Sequence, residues 1–195
     1  MQQTDGGRLA NVGTVNARLM GTDGSVWRCH YRVDKRWLDW DDSHRPGDYE
    51  TIDGIGNTLL NGGADVIWER LITLNPTTSS TGVVLGAFSS GTSRIGIGTS
   101  TVAAAASQTD LQSTTKIYDG MESGYPAHTT GTSTAARSVQ FQALLTTAQA
   151  NFAWNEWGVF NSTSASRRML NRAQQSLGTK TSAAQWTFTV TLTLS

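Results

Sequence analysis

Three stretches near the C-terminus alternate apolar and polar residues with period two. In Gln185–Ser195 the apolar side chains are Trp186, Phe188, Val190, Leu192 and Leu194, separated by Thr187, Thr189, Thr191 and Thr193. That pattern predicts a strand with one face inside and one in solvent, and Thr on the wet face favours β structure. Ser138–Leu145 turns Val139, Phe141, Ala143 and Leu145 to one side. Arg168–Gln174 alternates more weakly, with Met169 and Ala173 as its inward candidates. Between them runs Ala150–Asn161, with Phe152, Trp154, Trp157 and Phe160 inside nine residues. Aromatics at that density must bury most of their surface, about 150–250 Å² each. Phe152 and Trp154 share a parity that Trp157 and Val159 break. A β-bulge at Asn155–Glu156 is the preferred explanation. The alternative is a strand buried on both faces, with Glu156 paired to Arg168 or Arg172, because an unpaired buried carboxylate is costly. Strand, turn, strand at this spacing predicts an antiparallel β-sandwich of jelly-roll-like type.

The N-terminal half is less regular. Residues 1–13 are polar and without periodicity, and read as a flexible arm. Thr14–Met20, the turn Gly21–Gly24 and Ser25–Asp34 predict a hairpin. It places Trp27, Cys29, Tyr31 and Val33 inward and Arg28, His30 and Arg32 on a basic outer face. Asn57–Leu74 is the one convincing helix, with Leu60, Ala64, Ile67 and Leu71 on one face and Asn75-Pro76 ending it. Gly62-Gly63 either weakens its first turn or marks its start, with Asp65 near the positive end. Val83–Leu85 is a short apolar run, Arg94–Gly98 a short strand, and Lys116–Ala136 a long turn-rich loop. Residues 14–195 are expected to form a single domain, with 14–75 as a possible subdomain.

Composition narrows the function classes. There are 28 Thr and 19 Ser against three Lys and three Pro, a bias that suits an all-β surface protein. Net formal charge is zero, so bulk attraction to nucleic acid or to an anionic membrane is not indicated. Residues 1–74 carry eight Lys/Arg against eleven Asp/Glu, and residues 75–195 seven against four, an asymmetry that could help copies dock. Cys29 is the only cysteine, so no internal disulfide forms, and on the apolar side of its strand it reads as a small buried hydrophobe. No apolar run reaches membrane-spanning length, and the N-terminus lacks the pattern of a secretory signal.

The densest group of possible metal ligands lies in Lys35–Glu50. Asp39, Asp41 and Asp42 are weak candidates, with His44 and Asp48 nearby, but the spacing fits no EF-hand loop. The plainer reading is a solvated loop in which the Asp residues initiate turns while Trp37 and Trp40 pack inward. A third reading is an interface anchored by Trp37 and Trp40, with Tyr125 from the long loop. No nucleophile elbow, P-loop or zinc-protease motif appears, and His30, His44 and His128 are far apart. Glu156 and a loop Asp could supply a carboxylate pair, although nothing in the sequence fixes their separation. No enzymatic activity, cofactor or obligatory metal is expected.

One resemblance emerges from the motifs taken together. Arg94-Ile-Gly-Ile-Gly-Thr-Ser-Thr-Val-Ala-Ala-Ala-Ala, Thr109-Asp-Leu111, Glu156-Trp-Gly-Val-Phe-Asn161, Met169-Leu-Asn-Arg172 and the closing Thr-rich strand occur in that order. Together with Tyr49–Asn57 they resemble a group of tailed-bacteriophage virion structural proteins, over roughly residues 50–195. The resemblance implies a non-enzymatic virion component assembled in the host cytoplasm, in contact with copies of itself and other virion proteins. Within the particle, a tail-associated role (minor tail, collar or fibre attachment) leads. A capsid decoration or cement protein is the alternative, and a Ca²⁺-dependent or carbohydrate-binding protein the third reading.

Overall fold

A computed structural model describes residues 27–56, 58–72, 86–128, 137–162 and 167–194. Ten strands and one helix follow in chain order: β1 (Trp27–Trp37), β2 (Tyr49–Ile55), β3 (Thr58–Leu59), α1 (Asn61–Ile72), β4 (Arg94–Gly98), β5 (Lys116–Gly120), β6 (Ala127–His128), β7 (Ser138–Leu145), β8 (Ala153–Phe160), β9 (Met169–Thr179) and β10 (Ala184–Leu194). They form two antiparallel five-stranded sheets, in the orders β2-β1-β10-β7-β6 and β3-β9-β8-β4-β5, packed face to face as a β-sandwich. The arm at 1–13, the strand Thr14–Met20, its turn and the run Val83–Leu85 lie outside the described residues.

The strongest alternation becomes the middle of the first sheet. β10 pairs with β1 along eleven positions, from Trp27↔Leu194 to Trp37↔Ala184, and with β7 on its other side. Trp186, Phe188, Val190 and Leu192 are buried, while Thr187, Thr189, Thr191 and Thr193 remain partly exposed. On the outer face, Gln140 and Gln142 donate to Thr191 and Thr189, and the Ser138 and Thr193 hydroxyls bond to each other. Cys29, Tyr31, Val33 and Trp37 face inward as the β1 pattern requires. Lys35 also points inward, donating to Glu50 Oε2 at 3.2 Å and lying 4.5 Å over the Trp186 ring. β1 and β2 are built into the same sheet as β7 and β10.

Trp154, Trp157, Tyr31, Trp186 and Phe188 form the aromatic centre between the sheets, with ring centroids 4.6–6.4 Å apart. The β8 register shifts between Trp154 and Glu156, where the broken parity places it. The extra residues belong to β9, however: two steps on β8 span four on β9, from Gln174 to Gly178. Beyond that point β8 is buried on both faces, and Glu156 pairs with Arg172. Both sequence readings are therefore partly realised, with the bulge displaced onto the neighbouring strand.

The helix begins at Asn61, after a short strand at Thr58–Leu59, and its buried face is rotated from the expected one. Leu60, Gly63 and Val66 are buried, whereas Ile67 is 37% exposed. A Cβ at Gly63 would lie 2.3 Å from the Leu170 carbonyl oxygen, so the missing side chain lets the helix backbone sit directly on β9. The same logic shapes β4. Ile95 and Ile97 fill the core, and Gly96 and Gly98 open the other face, where a Cβ would strike the Phe160 ring and the Glu156 carboxylate.

Candidate functional site

The chain between β4 and β5, residues 99–115, crosses the outer face of the second sheet as a strap. Glu156 and Arg172, both fully buried, hold it there. Glu156 Oε1 accepts from the Ser113 N–H at 2.8 Å, and Oε2 from the Gln112 N–H at 2.9 Å and from Arg172 Nε at 2.8 Å. Arg172 spends its remaining donors on Gln108 Oε1 and the Val102 carbonyl, both at 2.9 Å. Each partner satisfies the other and the strap's backbone, which is how a charge pair survives in a low-dielectric interior. Glu156, which the sequence allowed as one half of a carboxylate pair, is thus walled off from solvent.

A second cluster fastens the same strap at its edge. Asp110 accepts from the Tyr118 hydroxyl, from Lys116 Nζ at 3.1 Å and from Arg167, and the Arg167 guanidinium lies 4.3 Å over the Tyr118 ring. Burial pushes the Asp110 carboxyl up, but those hydrogen bonds outweigh it and leave it below its ordinary value. Burial, then the Asp110 charge, raises the Tyr118 phenol. Lys180 is buried with no carboxylate partner among the described residues: Nζ donates to the Thr146 carbonyl at 2.6 Å and to Asn151 Oδ1 at 2.8 Å. Burial lowers it to about 8. Cys29 is 2% exposed, its thiol raised by burial against a weaker opposing contact from Asn171.

The acidic segment becomes the ordered loop 38–48 joining β1 to β2 at one end of the sandwich. Asp41 organises it. Oδ1 accepts from the N–H groups of Ser43 and His44 and contacts His44 Nδ1 at 3.0 Å, while Oδ2 accepts from Trp37 Nε1 at 2.8 Å. The Ser43 N–H, with the His44 and Trp37 bonds behind it, lowers the Asp41 carboxyl to about 2. The Asp39 side chain accepts from the Trp40 N–H, and Asp48 from the Arg45 N–H. These are the bonds of turn-forming Asp residues. Asp42 stands exposed, and no group of three or more potential metal ligands converges among the described residues. His30 lies on the outer face of the first sheet, and His128 at the far end on β6.

The three aromatics singled out as interface anchors separate. Trp37 is 4% exposed and stacked on His44 at 3.7 Å, so it has almost no surface left for a partner. The expectation that it anchors an interface is corrected to a role inside the loop. Trp40 does not pack inward: it is 66% exposed, with Arg45 5.6 Å over its ring, and Leu38 beside it is 44% exposed. Tyr125 is half-buried in the turn before β6.

At the opposite end lies an apolar cleft of about 350 Å³ that sequence reasoning missed. Phe88, Phe141, Leu170 and Leu192 line it, and Trp27, His128, Arg137 and Leu194 stand around it. Its residues come from seven separated segments, so no local pattern announces it. No family model, curated protein or solved structure matches this chain.

Proposed function

We propose that this chain is a non-enzymatic structural component of a tailed-phage virion, most readily a tail-associated one that attaches through its surface. The observation that carries the reading is the division of labour within the fold. The residues that bear the resemblance, Arg94–Gly98, Glu156–Asn161 and Met169–Arg172, are spent on the core and on fastening the strap. Buried charges are paired with protein groups, and the exposed Trp40 sits on a stiffened loop. A rigid aromatic anchor with an Arg beside it is what docking requires, since little entropy is lost when it is covered. Catalysis requires instead a polar group within reach of a substrate.

The test is location in the particle. Purified virions are imaged and the copies per particle counted. A few copies to a dozen or so support a tail position. Hundreds would move the protein to the capsid surface as decoration or cement. Absence from purified particles overturns the reading.

A further inference from the structure

The two ends of the sandwich carry complementary surfaces. One end presents the Trp40 loop, an exposed indole beside Leu38, flanked by exposed Asp39, Asp42 and Asp48. The other opens the 350 Å³ apolar cleft, with His128 and Arg137 at its margin and Leu194 58% exposed. Arg28 projects from the same end, because it pairs with Thr193 in the register of β1 on β10. β1 connects the two ends, running from Trp27 beside the cleft to Trp37 at the base of the loop. Eleven residues of strand set the surfaces on the order of 30 Å apart.

We propose that the Trp40 loop of one copy inserts into the apolar cleft of the next, a head-to-tail contact between copies of this chain. The cleft has the volume of a small ligand site and offers apolar walls to an aromatic ring. Around the knob exposed Asp39, Asp42 and Asp48 outnumber the Arg45 that lies over the indole, and Arg137 stands at the hole, so the net charges favour knob-to-hole over knob-to-knob or hole-to-hole pairing. A knob and a hole at opposite ends cannot satisfy each other in a two-fold pair. Such a contact is heterologous and closes into a ring or propagates. This gives the proposed assembly role a surface and rests on that reading, but it is tested on purified protein without particles. Failure here leaves the virion reading standing, and failure of the virion reading leaves a measured self-association standing.

A contact made by one loop belongs below the about 1,200 Å² of a standard interface, so self-association is sought at roughly 100 µM and above. Sedimentation velocity on the full chain should show the average mass rising at least twofold with concentration. Two exposed-surface variants separate the halves: Trp40→Ala removes the knob, and Leu194→Asp with Arg137→Glu spoils the hole. Each alone should stay monomeric with an unchanged melting profile. Mixed, they should form a one-to-one complex of twice the 20.9 kDa chain mass and nothing larger, because one good knob meets one good hole. A wild-type chain that is monomeric at every concentration overturns the proposal, and leaves the cleft to another virion protein or to a segment of this chain. Two variants that fail to complement, or a wild type that stops at dimers, overturn it in favour of a two-fold contact.

Discussion

Removing Arg172 should unfasten the strap and reveal how far the fold depends on a single buried pair. In Arg172→Met, Glu156 keeps the Gln112 and Ser113 N–H groups but loses its cationic partner, at a site with no solvent access. Breaking one side of a buried pair costs about 3–5 kcal/mol, a fifth or more of the roughly 5–15 kcal/mol that holds a domain together. For a chain of this size that lowers Tm by about 6–20 °C. Glu156→Leu should cost a similar amount, since it strands the guanidinium. The double variant Glu156→Leu/Arg172→Met leaves no buried charge. Its remaining penalty is the unpaired strap groups at Val102, Gln108, Gln112 and Ser113, at about 1–3 kcal/mol for each that finds no water. Each single variant already strands two of these four groups as well as a charge, so the double should cost less than the sum of the two singles. Urea unfolding of the four proteins at a common m-value measures this, and amide exchange at Gln112 and Ser113 shows whether the strap itself has loosened. If the single costs simply add in the double, the pair is not the clamp described.

Phe188→Ala, at the meeting point of Tyr31, Trp154 and Trp157, should cost about 3–5 kcal/mol in the same urea assay, and a loss below 1 kcal/mol would contradict the packing. Asp41, lowered to about 2 in the fold, contributes stability that is complete above its ordinary value of 3.8 and is lost as pH falls towards 2. Asp41→Asn should be less stable at pH 6, and its unfolding midpoint should depend less on pH between 5 and 2 than wild type. Lys180 is lowered to about 8 from 10.5, so the unfolded chain binds its proton more tightly and this group's contribution to stability rises between pH 8 and 10.5. The wild type minus Lys180→Met difference in urea midpoint should therefore shift in favour of wild type from pH 7 to pH 9.5, and a flat difference would refute it. Melting in excess EDTA and in millimolar Ca²⁺ should coincide within a few degrees, and a shift of about ten degrees would restore the Ca²⁺ reading for Asp39, Asp41 and Asp42.

What could be read in the sequence depended on whether a strand had one wet face. β7 and β10 alternate openly, and β1 does so as far as Val33, so their facing and inward residues were legible. β9 was legible only at its start, because it buries Asn171 and Arg172 in polar contacts that imitate a surface pattern. β2 was invisible as a strand: its inward positions include Glu50, taken by Lys35, and Gly54, where a Cβ would lie 2.4 Å from the Tyr31 hydroxyl oxygen. The stretch Lys116–Ala136 hid β5 and β6, which are five and two residues long and belong to sheet edges. For the helix, periodicity found the element but misjudged its face, since the residue in closest contact is a glycine that no hydrophobic pattern can mark. The loop 38–48 was legible as turns, yet which tryptophan stays outside was decided by one Asp41–Trp37 hydrogen bond. The cleft was not legible at all, because tertiary packing alone brings its walls together.

The position of β10 between β1 and β7 also has a consequence for how the protein is made. β1 has no partner on its inner side until residues 184–194 have left the ribosome, about 150 residues after β1 itself was made. Until then the emerging chain carries two open strand edges, both well suited to pairing with another chain. A ribosome that stops before residue 184 produces a first sheet missing its middle, not a slightly weakened protein. Premature termination or a frameshift before residue 184 should therefore yield insoluble or degraded fragments.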